Sequence, residues 1–596
     1  MLRKLFSYLG RYKTASIVTP LLVTFETGFD ILIPYFMAIV IDKGLMGAGT
    51  RAQNMAIVYR YAILLVACAL IALCIGFANG RTAAYASAGF SQNLRRALYE
   101  KIQSFSFSNI DKFSTSGLVT RLTTDVTNIQ NAYQLCLRIM VRGPLTMLLC
   151  FLVTFSIDKT ISLIFLGSLI IMGICLTLII TRAHPIFRHA FRRYDVLNRI
   201  VEESVHGVRV VKSFVREKLE ITKFRRTSQV IRDDFTHAEK IFSLSQPLMQ
   251  FMVFVSLLVV YYVSAHEIVG GRMQTGNLMS FITYILLILN QLMMLSTTLV
   301  MVTIALSAGQ RIVRVLDEAP AIANPEEPVT MMSDGSIDFA SVNFSYTHDY
   351  INDDGEEENG GPPTQVLFDV DLHIDSGQTI GILGGTGSSK STLVQLIARL
   401  YDVDAGALKV GGVDVRDYDL TTLRDNVAIV LQKNVLFAGT IAENLRWGNG
   451  EASDEDLRRV CRMAQAEEFI SKLPDGYDTV IEQGGSNVSG GQKQRLCIAR
   501  ALLKSPRIII LDDSTSAVDM KTDALLRRAF AEEIPQVTKI IVAQRISSVM
   551  DADKILVMDR GRINGFGSHD ELMATNAIYA DIYESQQQGE EARDVA

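Results

Sequence analysis

The first 305 residues contain six stretches that are long and apolar enough to cross a bilayer, and this pattern restricts the fold more than any other feature. A helix needs about 20 apolar residues to cross the ~30 Å hydrocarbon layer. The six predicted spans run over residues 15–41, 56–79, 133–157, 160–181, 247–265 and 277–305. Because backbone polar groups must be paired inside a bilayer, we predict an all-α, six-helix membrane domain at residues 1–318.

Basic residues indicate the orientation of these spans. The N-terminal segment and the two long polar connections, after spans two and four, carry most of the Lys and Arg of this half of the chain. Since cytoplasmic loops are enriched in these residues, both termini and both connections should face the cytoplasm. We therefore expect a multi-pass protein of the cytoplasmic membrane. A net charge of only −5 argues against nucleic acid as a partner.

Polar and flexible side chains inside the spans suggest a place for substrate. Glu26 and Asp30 lie one helical turn apart in the first span. Carboxylates at membrane depth usually face a cavity or a polar partner, so they either contact a cationic substrate or tie helices together. Met293, Met294 and Met301 in the sixth span either line a promiscuous pocket or pack against lipid and neighbouring helices.

The amino-acid composition and the hydropathy pattern change after the sixth span. Residues 319–336 are rich in Pro and acidic residues and are predicted to form a linker. Residues 337–585 alternate β-branched runs with helical patterns, which is typical of a nucleotide-binding α/β domain. Residues 347–363 form an acidic, Gly-rich insertion, either a mobile surface loop or a regulatory segment, and residues 586–596 form a polar tail.

A phosphate-binding loop opens this second domain. It follows a strand-like run, precedes a helix-like run, and consists of Gly384, Gly385, Thr386, Gly387, Ser388, Ser389, Lys390, Ser391 and Thr392. In such loops backbone N–H groups hold the phosphates, the lysine reaches the β- and γ-phosphates, and the hydroxyl after it contacts Mg²⁺. We therefore predict binding of ATP and Mg²⁺. Ser389 stands where the motif has glycine, so the backbone there must accept a side chain.

Two further motifs narrow the class of nucleotide-binding protein. The first is a VSGGQ segment that contains Ser489, Gly490, Gly491 and Gln492. The second is the apolar run RIIILDD, which follows it and places Asp512 where a carboxylate can approach Mg²⁺. Together with the six spans, these motifs resemble the ATP-binding-cassette (ABC) transporter family in its exporter form. The resemblance covers the whole chain and implies an α/β P-loop NTPase cassette fused to the membrane domain.

The resemblance assigns further roles to matched positions. Tyr346 resembles the aromatic residue that stacks on adenine, and Gln432 the residue that links Mg²⁺ or water to the membrane domain. Glu482 and residues 516–519 resemble elements that communicate with the coupling helices and with the second nucleotide site. Residues 105–130 and 202–217 resemble the coupling regions themselves. In this family two cassettes pair head to tail, and each signature completes the other chain's ATP site.

The cassette departs from the family pattern at two catalytic positions. Asp513 replaces the glutamate that follows the magnesium-binding aspartate, and Gln544 replaces the histidine that contacts the γ-phosphate. A carboxylate shortened by one methylene lies roughly 1.5 Å from its working position, and such a misplacement can cost about a hundredfold in rate. The pattern favours an asymmetric heterodimer whose other chain carries Glu and His. A homodimer with two slow sites is the alternative.

The resemblance implies ATP-driven efflux of small lipophilic or amphipathic compounds, because heterodimers with this altered pattern resemble multidrug exporters. The alternatives are export of lipid or peptide, and a non-transporting regulator or channel gated by ATP. A reconstituted pair tested with several classes of substrate separates them.

Overall fold

The computed structural model describes residues 1–347, 350–351, 357–358, 361–513 and 519–594. Residues 516–519 and the insertion at 347–363 were both singled out in the sequence, and most of each lies outside this described part. The chain divides into two units. A membrane unit comprises residues 1–101 and 119–317, and a cassette unit comprises residues 102–118 and 318–596.

Helices make up the membrane unit and the segment 102–118, which belongs to the cassette unit. In chain order they are α1 Leu2–Ser7, α2 Lys13–Ile39, α3 Arg51–Gln103, α4 Phe107–Phe113, α5 Thr115–Thr120, α6 Val126–Ile157, α7 Lys159–His206, α8 Val208–Ser213, α9 Glu217–Ser243, α10 Ser245–Val269 and α11 Thr275–Asp317. Among the described residues, six helical stretches are long and apolar enough to cross a membrane, which agrees with the six-helix fold predicted above.

Helix ends and prolines explain the local form of this unit. Asp158 separates α6 from α7, and its side chain accepts a hydrogen bond from the backbone N–H of Ile161, which caps α7. Pro34 lies inside α2, where it removes a backbone donor. Helix α11 donates to α2 at this level, from Ser280 Oγ to Pro34 O at 2.7 Å and from Tyr284 Oη to Ile31 O at 2.9 Å.

The strands of the cassette unit form two main sheets. In chain order they are β1 Ile337–Tyr346, β2 Tyr350–Ile351, β3 Glu357–Glu358, β4 Thr364–Ile374, β5 Thr379–Gly384, β6 Ala405–Val410, β7 Val413–Asp414, β8 Val427–Val430, β9 Gly439–Thr440, β10 Val480–Ile481, β11 Ile508–Asp512, β12 Thr538–Val542, β13 Lys554–Asp559 and β14 Arg562–Gly567. The larger sheet has the order β14-β13-β5-β12-β11-β8, and the smaller one has the order β4-β1-β6-β7.

The helices of the cassette pack around these sheets. They are α12 Lys390–Ile397, α13 Leu420–Asn426, α14 Ile441–Arg446, α15 Asp454–Met463, α16 Glu467–Ile470, α17 Gly490–Leu503, α18 Met520–Glu533, α19 His569–Thr575 and α20 Ala577–Asp594. Strands β5, β11 and β12 are central, parallel and almost wholly buried, as expected of near-continuous apolar runs covered on both faces. Loops that follow such strands meet at one edge of the sheet, where ligands bind in α/β folds.

Candidate functional site

The phosphate-binding loop joins β5 to α12, as the sequence pattern predicts. Gly384 ends β5 with φ of +151°, and a Cβ atom there would lie 2.3 Å from the carbonyl oxygen of Met558. Any side chain would therefore clash with backbone. Gly387 follows with φ of +82°, a conformation that glycine adopts without strain. The loop thus keeps its backbone close to the neighbouring strand.

Ser389 adopts a left-handed conformation at the end of the loop, with φ of 72° and ψ of 24°. This explains why the motif has glycine at this position. For an L-residue, the left-handed conformation costs roughly 1–2 kcal/mol of conformational free energy. The loop therefore retains its shape with serine, at the expense of local backbone strain.

Lys390 begins α12 and folds back over the loop. Its Nζ donates to the carbonyl oxygens of Gly384 at 2.7 Å and Gly385 at 2.9 Å. Burial lowers the pKa of Lys390, and the nearby carboxylates of Asp513 and Asp512 oppose that change. The ammonium group is therefore held over the cradle in which phosphates bind in P-loop proteins.

Ser391 and Asp512 form the oxygen pair expected of a magnesium site. Ser391 Oγ donates to Asp512 Oδ1 at 2.8 Å, and Asp512 is buried at the end of β11. Burial raises the pKa of Asp512, while the Ser391 hydroxyl and Lys390 act in the opposite direction. A hydroxyl and a carboxylate oxygen are hard ligands of the kind that Mg²⁺ prefers, so the residues present fit this ion.

Asp513 is bound by two amide side chains. Its Oδ2 accepts from Gln544 Nε2 at 2.8 Å and from Gln432 Nε2 at 3.2 Å. The residue has φ of 49°, which aspartate tolerates better than most L-residues. The structure therefore brings the two departures from the family pattern into direct contact, and Gln432 joins them.

These groups line one cleft of about 470 Å³. Its walls are residues 384–392 of the loop, Gln432, Asp512, Asp513, Val542, Ala543, Gln544 and Ile582. All the catalytic, loop and metal positions predicted from the sequence within the cassette lie in this cleft, apart from Tyr346 and the signature. The roles of the individual residues remain predictions.

Tyr346 lies beside this cleft and is not part of its wall. Its hydroxyl is 3.1 Å from Thr392 Oγ1, and its ring makes an edge contact with Tyr401. Burial raises the pKa of Tyr346. The ring is therefore anchored to the first turn of α12, beside the phosphate loop.

The signature residues lie away from the cleft of their own chain. Ser489 caps α17: its hydroxyl accepts from Gln492 N at 3.3 Å, and Gln492 Oε1 accepts from Ser489 N at 2.9 Å. Ser489, Gly490, Gly491 and Gln492 are absent from the residues that line the cleft. Upstream, Glu482 accepts a hydrogen bond from Ser486 Oγ at 2.6 Å. Residues 516–518, which the sequence also singles out, lie outside the described part of the chain.

Both membrane carboxylates are paired with one arginine. Arg142 Nη1 lies 3.0 Å from Glu26 Oε1, and Arg142 Nη2 lies 2.5 Å from Asp30 Oδ2. Asn79 Nδ2 donates to Glu26 Oε2 at 2.9 Å. These contacts join α2, α3 and α6, so the structure favours the helix-tying alternative. The contact of Glu26 and Asp30 with substrate remains an untested prediction.

Sequence reasoning missed a cluster of contacts around α4. Tyr401 Oη donates to Asp111 Oδ2 at 2.8 Å, and the Tyr401 ring packs edge-on against Phe107. Asn109 Nδ2 donates to Ala319 O at 3.0 Å, and its Oδ1 accepts from Ala321 N at 2.9 Å. No motif marks Tyr401, because its partners are far away along the chain. It connects α4 to Tyr346 beside the nucleotide cleft.

Comparison with known proteins identifies the family. A family model described as the ABC transporter transmembrane region matches residues 16–293, and one described as ABC transporter matches residues 367–516. The uncharacterized ABC transporter ATP-binding protein YfiB of Bacillus subtilis is 32% identical over 585 residues, which is 98% of each chain. The chain belongs to the ABC transporter family. As an ABC half-transporter, it carries membrane region and cassette in one polypeptide.

Other relatives place this ABC transporter among exporter folds. The ATP-dependent lipid A-core flippase of Syntrophus aciditrophicus is 29% identical over 83% of this chain and 80% of its own. A solved structure of a bacterial Atm1-family ABC exporter with ATP bound has a TM-score of 0.81 at 22% identity, and the match covers 97% of this chain and 98% of that one. These likenesses confirm the predicted family and fold class.

Proposed function

We propose that this chain is one subunit of a heterodimeric ABC exporter, which uses ATP to expel small lipophilic or amphipathic compounds across the cytoplasmic membrane. Its own cleft would hold ATP and hydrolyse it slowly. The observation that carries the proposal is the contact between Asp513 and Gln544, since Gln544 Nε2 donates to Asp513 Oδ2 at 2.8 Å inside the phosphate-loop cleft. Two catalytic positions are thus changed together in one site.

The chemistry of this contact supports slow hydrolysis. A general base must approach the attacking water within hydrogen-bond reach. The Asp513 carboxylate is shorter than glutamate and already accepts from two amides, so neither its reach nor its lone pairs favour that task. Gln544 can hydrogen-bond a phosphate oxygen but carries no titratable charge.

Binding of nucleotide depends on other residues, which fit their roles. The loop backbone, Lys390 and the Ser391–Asp512 pair would hold the phosphates and Mg²⁺. When bound, Mg²⁺ would neutralise charge on the β- and γ-phosphates. Tyr346 would place its ring against the adenine. The cleft therefore supports retention of ATP better than turnover.

The position of the signature supports a partner. Ser489 and Gln492 cap α17 reciprocally but do not line the cleft of their own chain. In the proposed pair this intact signature completes the competent site of a second, non-identical half that carries Glu and His. The enrichment of the long connections in Lys and Arg supports an arrangement in which both cassettes lie on the cytoplasmic side, where ATP is abundant.

ATP hydrolysis by the purified chain and by the reconstituted pair tests the proposal. The chain alone should hydrolyse ATP barely above background. In the pair, replacement of the partner's catalytic Glu should abolish most activity, whereas Asp513→Asn should change it little. Brisk turnover by the chain alone, or equal losses from both substitutions, would refute the asymmetry.

Lipid export is a second candidate, favoured by the relative named as a lipid A-core flippase. Inside-out vesicles that contain the pair should accumulate amphipathic dyes in the presence of ATP under the main proposal. Movement of lipid between leaflets without dye uptake would favour the second candidate. Nucleotide-dependent conformational change without either flux would identify a non-transporting regulator.

A further inference from the structure

The membrane unit has an open cavity of about 630 Å³ whose wall carries several amide side chains. Four amide side chains in its wall make no side-chain hydrogen bond to any described residue; these are Asn131, Gln134, Asn290 and Gln291. The cavity therefore offers polar groups to a ligand as well as to water.

Both charged side chains in the cavity wall are arginines. Arg138 and Arg142 lie four residues apart on α6, so they share one face of that helix. Glu26 and Asp30 do not line the cavity, and Arg142 contacts both of them. The wall that a ligand meets is thus basic, and the carboxylates lie behind Arg142.

Arg138 is the charged side chain in this wall that an anionic ligand would contact. It is half-buried, and it forms no ion pair or hydrogen bond with any described residue. It lies ~28 Å along α6 from Ile157, near the cytoplasmic end of the span predicted at residues 133–157. A long arginine side chain near the end of a span can extend its guanidinium to the lipid head groups.

The rest of the cavity suits an alkyl chain. Val23, Leu135 and Ile139 contribute apolar surface, and Met294 and Met301 contribute flexible thioethers. Methionine adapts its shape to different apolar ligands. A ligand that matches the whole wall therefore has a charged head beside Arg138 and an apolar body against these residues.

Asn79 also contributes to the cavity wall. The residue is 2% exposed, its Nδ2 donates to Glu26, and its Oδ1 has no hydrogen-bond partner among the described residues. A buried carbonyl oxygen without a donor is unfavourable. Since this oxygen is buried, it sets no requirement on the head group of a ligand, which Arg138 determines.

We infer that this cavity binds anionic amphiphiles, with a phosphate or carboxylate head on Arg138 and an alkyl chain against the methionines. The inference rests on the proposed export function and narrows its substrate class. It also reverses the charge preference expected from Glu26 and Asp30 alone. Arginine binds such heads through paired N–H donors, which a cationic head cannot accept.

Binding without nucleotide tests the inference separately from ATP turnover. The full-length chain, in whatever assembly it purifies, is placed in phosphatidylcholine nanodiscs and titrated with radiolabelled lysophosphatidic acid. We expect saturable binding that Arg138→Gln weakens about tenfold or more, since hydrogen bonds to charged groups contribute on that scale. Arg138→Lys, which keeps the charge, should lose less. Unlabelled hexadecyltrimethylammonium should not compete.

Arg81→Gln provides a matched control, because Arg81 is exposed on α3 and does not line the cavity. It should bind the probe as the original chain does. Nanodiscs that contain phosphatidylglycerol distinguish two sources of the ligand: displacement of the probe indicates a bilayer lipid, and retention indicates a single-chain solute. Unchanged binding by Arg138→Gln, no saturable binding, or equal competition by the cationic amphiphile would overturn the inference. Slow or fast ATP hydrolysis affects only the proposed function.

Discussion

Ser389 occupies a backbone conformation that serine rarely adopts, with φ of 72° at the end of the phosphate loop. The sequence predicts that this position must accept a side chain, and the structure adds the reason for the motif's glycine. The strain of an L-residue here is of the same order as the entropy that glycine loses on folding. Serine is therefore a tolerable substitute, whereas a β-branched residue is not.

Substitutions at Ser389 test whether the backbone strain of serine is offset by the folding entropy that glycine loses. Ser389→Gly should leave stability unchanged within about 0.5 kcal/mol, while Ser389→Val should destabilise the cassette by about 1–2 kcal/mol. The midpoint of thermal unfolding and the Kd for ATP measure both effects. Thr421→Val, on an exposed helical position, is the control and should be neutral. A valine variant as stable as the original would show that the loop is unstrained.

Asp513 and Gln544 could be recognised as departures from the sequence, but their contact could not. They follow different strands, and the hydrogen bond between them depends on the alignment of β11 and β12. Gln432 was expected near Mg²⁺ or water, and its amide nitrogen also donates to Asp513. Side-chain orientation of this kind depends on tertiary packing, which motif spacing does not specify.

Restoration of the family pattern is the sharpest test at this position. The double substitution Asp513→Glu with Gln544→His should raise ATP hydrolysis at this site by about a hundredfold, since a misplaced catalytic group costs about that much. The measurement uses the pair with the partner's own site inactivated. Each single substitution serves as a control and should restore less. No gain from the double variant would mean that another residue limits turnover.

Helix α4 shows how far sequence reasoning reaches at the scale of elements. The region 105–130 was predicted as a coupling region from its resemblance to the family. The structure adds that Ser106 caps α4 and that Asn109 is bonded to the backbone of Ala319 and Ala321. These partners are some 200 residues away along the chain, so no local sequence pattern predicts these hydrogen bonds.

Shortening the Asn109 side chain should weaken the attachment of α4 to the backbone of residues 319–321. Asn109→Ala leaves the carbonyl of Ala319 and the N–H of Ala321 without their partner, at a cost of about 1–3 kcal/mol. Hydrogen exchange of the backbone amides in residues 102–118 should accelerate. Gln103→Ala, an exposed position in the same segment, should leave exchange unchanged. Equal protection in both variants would show that Asn109 does not hold α4.

At the scale of the whole molecule, the segment 202–217, predicted to be the second coupling region, presents apolar side chains to solvent. Val205, Val210, Phe214 and Val215 are all exposed, and they lie in or beside the short helix α8. Several exposed apolar side chains within one short segment favour an interaction site there. The six spans and the cassette motifs predicted the architecture well, because periodicity and motif spacing determine both. Neither the periodicity nor the motif spacing identifies the partner chain.

A charge in this apolar segment should impair the pair. Phe214→Asp should lower substrate-stimulated ATP hydrolysis severalfold, because it places a carboxylate among the exposed apolar side chains of the predicted coupling region, where a partner surface would have to bury it. Ser213→Asp, one residue away and also exposed, adds the same charge outside the apolar cluster and should have less effect. Co-purification with the partner measures assembly. Identical activity in both variants would place the partner's contact elsewhere.

The length of α3 gives the molecule a mechanical property. Its 53 residues form a rod of ~80 Å, while the hydrocarbon layer takes up only ~30 Å. Such a rod behaves as a lever with its fulcrum in the bilayer. A tilt of about 10° moves the end of an arm of ~45 Å by roughly 8 Å, which exceeds one turn of helix. Small changes in angle at membrane depth can therefore accompany large displacements at the cytoplasmic end.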